Sequence, residues 1–241
     1  MNVLFVSAVL PFPLHSGGQI RIYNLIKRLS RRHRITLVSF IRSEEELQYK
    51  NELAFCESVH MVMRGRAWQP KYVMNALGKY PFLLATYDND AMRQTLKDMT
   101  TSKQFDLMHL EPFYVWPSIP ETHLPIVVSE HNIEHNVYKR FTPWFARLDT
   151  AKLAFWEHYV WNKAKILTAV SQEDAAVIRK DIGDRVTVVP NGVDLKIFRY
   201  RKPTILNCPT ILFVGNFRWS PNREAADTLL HDIWPRIQKK Y

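Results

Sequence analysis

Residues 1–29 read MNVLFVSAVLPFPLHSGGQIRIYNLIKRL. A short apolar, β-branched run, Val3–Ser7, leads through a proline-punctuated loop into a serine, two glycines and an amphipathic segment. In that segment Ile22, Leu25, Ile26 and Leu29 recur at the i, i+3, i+4, i+7 spacing of one helix face. Strand, loop, helix is then repeated along the chain. Further strands are expected at Ile35–Phe40, Ser58–Met63, Leu107–Leu110, Ile126–Ser129, Ile166–Val170 and Val186–Val189. Helices are expected at 44–56, 91–101, 149–163 and 171–180, the last with Ser171 as N-cap and Asp174 completing a weaker capping box. Strands that are apolar throughout are buried on both sides. The pattern therefore predicts an α/β fold, a parallel sheet with helices on both faces.

The chain has 241 residues, 46% of them hydrophobic and 23% charged. That composition is ordinary for a globular protein and excludes collagen, a coiled coil and wholesale disorder. Two cysteines, Cys56 and Cys208, make neither a disulfide framework nor a zinc site, and a reducing compartment is expected. Thirty-three basic against 23 acidic residues give a net charge of +10, spread along the chain rather than gathered in a tail. Such a surface favours anionic partners: nucleic acid, anionic lipid or a phosphorylated small molecule. The N-terminal apolar run has about nine residues and no preceding positive charge, too little for a signal peptide or a membrane span. A cytoplasmic protein is expected, peripheral at the inner membrane face.

The stretch from Arg64 to Tyr87 is less regular and aromatic, with Trp68, Tyr72, Tyr80, Phe82 and Tyr87. It reads as a helical excursion packed on the sheet or as a lip that touches an acceptor or a membrane. A seam follows Val189. Residues 191–208 read as a hinge or linker, after a first domain over 1–190. Residues 209–241 read as one strand, Thr210–Val214, and a helix from about Asn222, an incomplete second α/β domain. A lone parallel strand satisfies neither its backbone nor its apolar face, so the sequence reads as the front part of a longer protein.

Four segments could carry chemistry. Gly17 and Gly18 stand at a helix N-terminus, where free N–H groups and the helix dipole favour an anion and side chains would block its approach. A flexible turn is the plainer reading of the pair. Ser129-Glu-His-Asn-Ile-Glu-His135 follows a strand, at the sheet end where open parallel sheets place ligands. His131 and His135 are four apart, but Asn132 stands where a zinc-binding H-E-x-x-H motif needs glutamate, so no metal site is expected. A histidine bonding a sugar or phosphate oxygen, or one that only caps a helix, fits better. Glu111, at another strand end, either faces the same cleft or is a solvated loop carboxylate. The basic run Lys27–Arg34 either complements its helix C-terminus or contacts anionic headgroups. It lacks the interleaved aromatics of a nucleic-acid site, and no nucleic-acid partner is expected.

In this order MNVLFVS, SGGQIR, SEHN, TAVSQED, VVPNGVDLKIF and LFVGNFRWSPNREAADTLLHDIWP resemble the N-terminal domain and first C-terminal strand–helix unit of a retaining group 1 glycosyltransferase of the GT-B fold. The resemblance implies two Rossmann-like domains and sugar transfer from a nucleotide-sugar donor, with no metal and no further cofactor. It places the amides of Gly17 and Gly18 near the donor diphosphate and the transferred sugar. His131 would contact that sugar near the reacting carbon, as the catalytic residue. Gly215 and Asn216 would also bind the diphosphate. Arg21, Glu111, Asn132 and Glu134 are candidates for the acceptor side or the cleft wall. The family's donor-side Arg, Lys and E-x7-E pair have no match before Tyr241, so the 241 residues alone are expected to be inactive. The acceptor is expected to be lipid-linked or a polysaccharide. The competing readings are a nucleotide-sugar epimerase of the same fold and a non-catalytic module binding phosphorylated ligands.

Overall fold

The computed structural model describes residues 1–65, 68–202, 210–217 and 220–240. The chain divides into two units, Met1–Gly192 and Val193–Tyr241. In the first, the described strands are β1 (Asn2–Ser7), β2 (Arg34–Ile41), β3 (Ser58–Met63), β4 (Leu107–Glu111), β5 (Ile126–Glu130), β6 (Ile166–Ala169) and β7 (Val186–Val188). The helices are α1 (Gly17–Leu29), α2 (Pro70–Leu77), α3 (Phe82–Ala85), α4 (Asp90–Ser102), α5 (Glu134–Phe141), α6 (Arg147–Lys163) and α7 (Gln172–Ile182).

The strands form one parallel sheet in the order β3-β2-β1-β4-β5-β6-β7, a Rossmann-like arrangement. Alternation along β1 splits the core in two. Val3 and Phe5 pack with Ile35, Leu37 and Val59 against Ile22 and Ile26 of α1. Leu4 and Val6 pack with Val38, Phe40, Leu110 and Val128 under Met92, Leu96, Val160 and Trp161. Each such side chain contributes about 1.5–3 kcal/mol by leaving water. Period-two alternation with both faces covered is why the strands look continuously apolar.

From β1 the chain winds outward to β3, then crosses back to β4 on the other side of β1 and winds out to β7. The connections diverge between β1 and β4. That reversal opens a crevice at the carboxyl ends of these strands, where such sheets bind ligands.

Several expectations are refined. Residues 44–56 form a 3-10 segment, Glu44–Leu53, rather than an α-helix; Leu53 alone is buried there, so no apolar face selects the wider helix. Ser171 is the N-cap of α7, its hydroxyl accepting from the Asp174 amide at 3.0 Å. The aromatic stretch includes the helices α2 and α3 and packs in part: Tyr72 and Tyr87 are buried, while Trp68 is exposed. The basic run Lys27–Arg34 ends α1 and opens β2, at the amino edge of the sheet, opposite the crevice. Cys56 is buried, which pushes its thiol up to about 12; Cys208 lies outside the described residues.

In the second unit Thr210–Val214 forms no strand; among the described residues it has no ladder partner, and Leu212 and Val214 are exposed. Helix α8 (Ser220–Thr228) continues through a wider turn, Leu229–Ile233, into α9 (Trp234–Lys240). Residues 203–208 of the expected linker lie outside the described residues. No described helix is long and apolar enough to cross a membrane.

Candidate functional site

The glycine pair occupies the first two positions of α1. Ser16 is the N-cap; its Oγ accepts from the Gln19 amide at 3.3 Å, and Gln19 Nε2 donates to the Leu10 carbonyl at 3.0 Å. The amides of Gly17 and Gly18 find no acceptor among the described residues. Neither glycine has a positive φ, so backbone conformation does not call for them and the flexible-turn reading loses its basis. Packing does not call for them either: a Cβ at Gly17 would meet nothing within 4 Å, and one at Gly18 would make ordinary contact with His131, 3.5 Å from Nδ1 and 3.7 Å from Cε1. What the missing side chains leave is open space beside the two amides. The fold therefore brings the SGG and EHN segments to one place, at the carboxyl ends of β1 and β5.

His131 is held from behind. Its Nε2 bonds Oε1 of Glu111, the last residue of β4. Glu111 is fully buried, and its other oxygen receives Nε2 of His109 at 2.8 Å. His109 lies two residues earlier on β4, hence on the same sheet face, and stacks on Phe5 at 4.4 Å. Arg21 of α1 brings its Nε to 4.0 Å from Glu111 Oε1. Its Nη2 donates to the Val189 carbonyl at 2.8 Å and its Nη1 to Asn191 Oδ1 at 3.0 Å. Arg21 thus braces the site rather than presenting a charge to solvent. Burial pushes the Glu111 carboxyl up, but hydrogen bonds and charge from His109 and His131 outweigh it and hold it at about 2. A carboxylate accepts only, so Nε2 of His131 is the donor nitrogen, and its Nδ1 edge is the one that faces Gly18.

A second group of carboxylates lies beside this one. Glu157 of α6, fully buried, accepts from the amides of Glu134 and His135 at 2.7 and 3.0 Å and from His135 Nδ1 at 2.6 Å. It caps α5, so the N-terminus of that helix is already satisfied, unlike that of α1. His131 and His135 bond different carboxylates and do not form a ligand pair. Among the described residues no three His, Cys, Asp or Glu are grouped to hold a metal ion. Glu130 accepts from Trp161 Nε1 at 2.9 Å and leaves Oε2 buried with no hydrogen-bond partner among the described residues; burial, then the charge of Glu157, push its carboxyl well above the usual range. Burial and Glu157 also raise Glu134 to about 7, against a hydrogen bond from Asn132 and the charge of His131. Asn132 itself is exposed.

Glu134 carries a pH test. Its folded-state value lies above its unfolded one, so the folded chain binds the extra proton between pH of about 4.5 and 7. Stability falls as pH rises through that window and levels above it. Glu134→Gln should flatten this slope and raise stability at pH 8 by ~1–2 kcal/mol, less than the full shift because the side chain is partly exposed. Urea unfolding at pH 5 and pH 8 measures it; an unchanged slope in the variant would assign the effect elsewhere.

Gly215 and Asn216 lie in the second unit. A Cβ at Gly215 would press within 3.2 Å of the Asn222 side chain and 3.3 Å of Phe213, and Asn222 Nδ2 donates to the Asn216 carbonyl at 3.1 Å. A side chain at this position would need Asn222 and Phe213 to give by a few tenths of an ångström.

The sequence profile of Glycosyltransferase Family 4 matches residues 15–197, well over half of the chain. The chain belongs to Glycosyltransferase Family 4. The matched span contains both segments of the site, the glycine pair and the histidine loop, together with Glu111. No curated protein sequence is a match. Among solved structures the chain is similar to UGT89C1 of Arabidopsis thaliana complexed with UDP-L-rhamnose, at 10% identity and a TM-score of 0.47, over 78% of this chain and 51% of that one. It is similar to the same protein complexed with UDP, at 11% identity and 0.46, over 78% and 52%. With quercetin the values are 10% and 0.46, over 79% and 50%. The chain spans about half the length of these structures.

His109, Glu130 and Glu157 are members of the site that sequence reasoning passed over. His109 had a signal, its i, i+2 spacing from Glu111. Glu157 had none, because only the packing of α6 brings it to α5.

Proposed function

We propose that the chain is the acceptor-side part of a retaining glycosyltransferase that moves a hexosyl group from a nucleoside-diphosphate sugar to a lipid-linked or polysaccharide acceptor. It works without a metal ion, in the cytoplasm at a membrane face, and the 241 residues alone transfer poorly. The observation that carries the reading is the meeting of the open α1 N-terminus with His131, itself held by buried Glu111. As the diphosphate leaves, negative charge grows on it. Fixed amides at Gly17 and Gly18 and the helix dipole stabilise that charge without reorganising. The Nδ1 edge of His131 holds a hydroxyl of the transferred sugar. The bond from the anomeric carbon to the diphosphate oxygen breaks, a bond to the acceptor oxygen forms on the same face, and the acceptor proton passes to the departing phosphate. Glu111 and Arg21 position His131. Asn132 and Glu134 line the acceptor side.

Gly18→Val tests the central step. The substituted side chain fills the space beside His131 but suits a helix no worse than glycine. Calorimetric titration with inorganic pyrophosphate should show binding, weakened at least about tenfold in the variant by loss of access to the amides. Thermal unfolding should stay within a few degrees. Absence of pyrophosphate binding, or equal affinity in the variant, would overturn the reading. Turnover of the sugar nucleotide without any acceptor would point to an epimerase instead.

A further inference from the structure

We propose that the exposed apolar face shared by α2 and the α5–α6 corner is a docking surface for a bilayer carrying anionic lipid. The proposal deepens the reading above and rests on it for its purpose, although its evidence is separate.

Helix α2 is turned inside out for a surface helix. Tyr72 is its one buried residue, while Val73, Met74 and Leu77 face outward. Across from it, at the corner between α5 and α6, Phe141, Trp144 and Leu148 are exposed as well. Trp68, Leu77, Trp144 and Leu148 are each more than three-quarters exposed. Single apolar residues on a surface need no explanation, but a cluster does. The two parts are tied together. Lys152 of α6 donates to the carbonyls of Ala76 and Gly78 at 3.0 and 2.8 Å, and Trp156 Nε1 donates to that of Lys79 at 3.0 Å. Leu148, Lys152 and Phe155 form one stripe along α6 at i, i+4, i+7, so Leu148 and Phe155 flank the end of α2 that carries Leu77. Two cavities of about 610 and 540 Å³ run along this face and share Ala151 as a wall; the first is also lined by Lys139 and Arg147, the second by Lys79 and Phe155.

Charge selects the occupant. Residues 68–85 contain no acidic residue but Lys71 and Lys79; residues 135–148 contain none but Lys139, Arg140 and Arg147. The next carboxylate, Asp149, is partly buried and accepts from the Phe82 amide at 2.8 Å. Tryptophan and aliphatic side chains ringed by cations suit an anionic headgroup layer. A second copy of the chain would set these cations against their own kind. The face also lies at the working end of the sheet: α2 follows the carboxyl end of β3 and α5 that of β5, the end that holds His131 and Gly18. The basic run Lys27–Arg34, at the opposite end, could not bring a membrane to them.

Co-sedimentation with vesicles tests this, using pure phosphatidylcholine and equal parts phosphatidylcholine and phosphatidylglycerol. The wild-type chain should bind the mixed vesicles and not the neutral ones. Met74→Glu with Leu77→Glu should lower partitioning at least about tenfold. Lys139→Gln with Arg140→Gln and Arg147→Gln should lower it about a hundredfold, each cation being worth roughly fivefold. Lys27→Gln with Arg28→Gln should keep most of the binding. All these positions are exposed, and circular dichroism checks that each variant folds. Absence of wild-type binding, loss only in the Lys27 and Arg28 variant, or a dimer in solution that Met74→Glu with Leu77→Glu dissolves would each overturn the proposal. The assay contains no donor. Failed vesicle binding with intact pyrophosphate binding sinks the docking surface alone, and the reverse result sinks the transferase reading alone.

Discussion

His131→Ala is expected to lower sugar transfer about 10²–10³-fold, the loss typical when one preorganised polar group at a developing charge is removed. The effect should fall on kcat, with the donor KM changing little, because the sugar contact strengthens as the anomeric carbon loses its bond to phosphate. Geometry makes the prediction specific. The ring is oriented by Glu111, and its Nδ1 edge lies toward the Cα of Gly18, beside the open N-terminus of α1. Alanine removes that edge yet leaves Glu111 with His109 and Arg21 as partners, so the fold should survive. Steady-state kinetics beside a thermal melt separate the two effects. Near-normal kcat would remove His131 from the chemistry.

Glu111→Ala should have the largest effect on stability, a loss of about 3–5 kcal/mol at pH 7. It strips the anion from a buried cluster and leaves His109, His131 and Arg21 without their common acceptor. The folded carboxyl value of about 2 lies below the ordinary value of 4.5. The stabilisation is therefore complete above pH of about 4.5 and is lost as pH falls through about 2. The gap between wild type and variant should narrow over that window. Denaturant unfolding at pH 7 and pH 3 reads it out. A variant as stable as the wild type at pH 7 would show that the cluster does not depend on its carboxylate.

The parts of the site differ in how visible they were before folding. Gly17 and Gly18 announced themselves because a helix N-terminus and the glycine's missing side chain are local properties, whereas the cap at Ser16 was seen only in the structure. The strand ends at Glu111 and Glu130 were placed to within a residue by the end of an apolar run. The roles were less visible. Arg21 looked like a cleft residue, yet its guanidinium is taken up by the Val189 carbonyl and Asn191, 168 and 170 residues away. Trp68 and Tyr72 carry the same aromatic label in sequence, and only the fold turns one outward and buries the other. The Thr210–Val214 run has the composition of a strand, yet no ladder forms on it among the described residues, and composition alone does not make a strand without a neighbour.

Local sequence, by itself, determined the alternation of strand and helix, the double-sided burial of the sheet and the open helix N-terminus, because periodicity, capping and side-chain volume act over a few residues. Tertiary structure alone decided that His131 sits beside Gly18, that Glu111 holds it, and that Glu157 closes α5. Those contacts join α1, β4, the loop after β5, α5 and α6, and their energies come from burial and from charges meeting across the crevice, which no short stretch of chain contains.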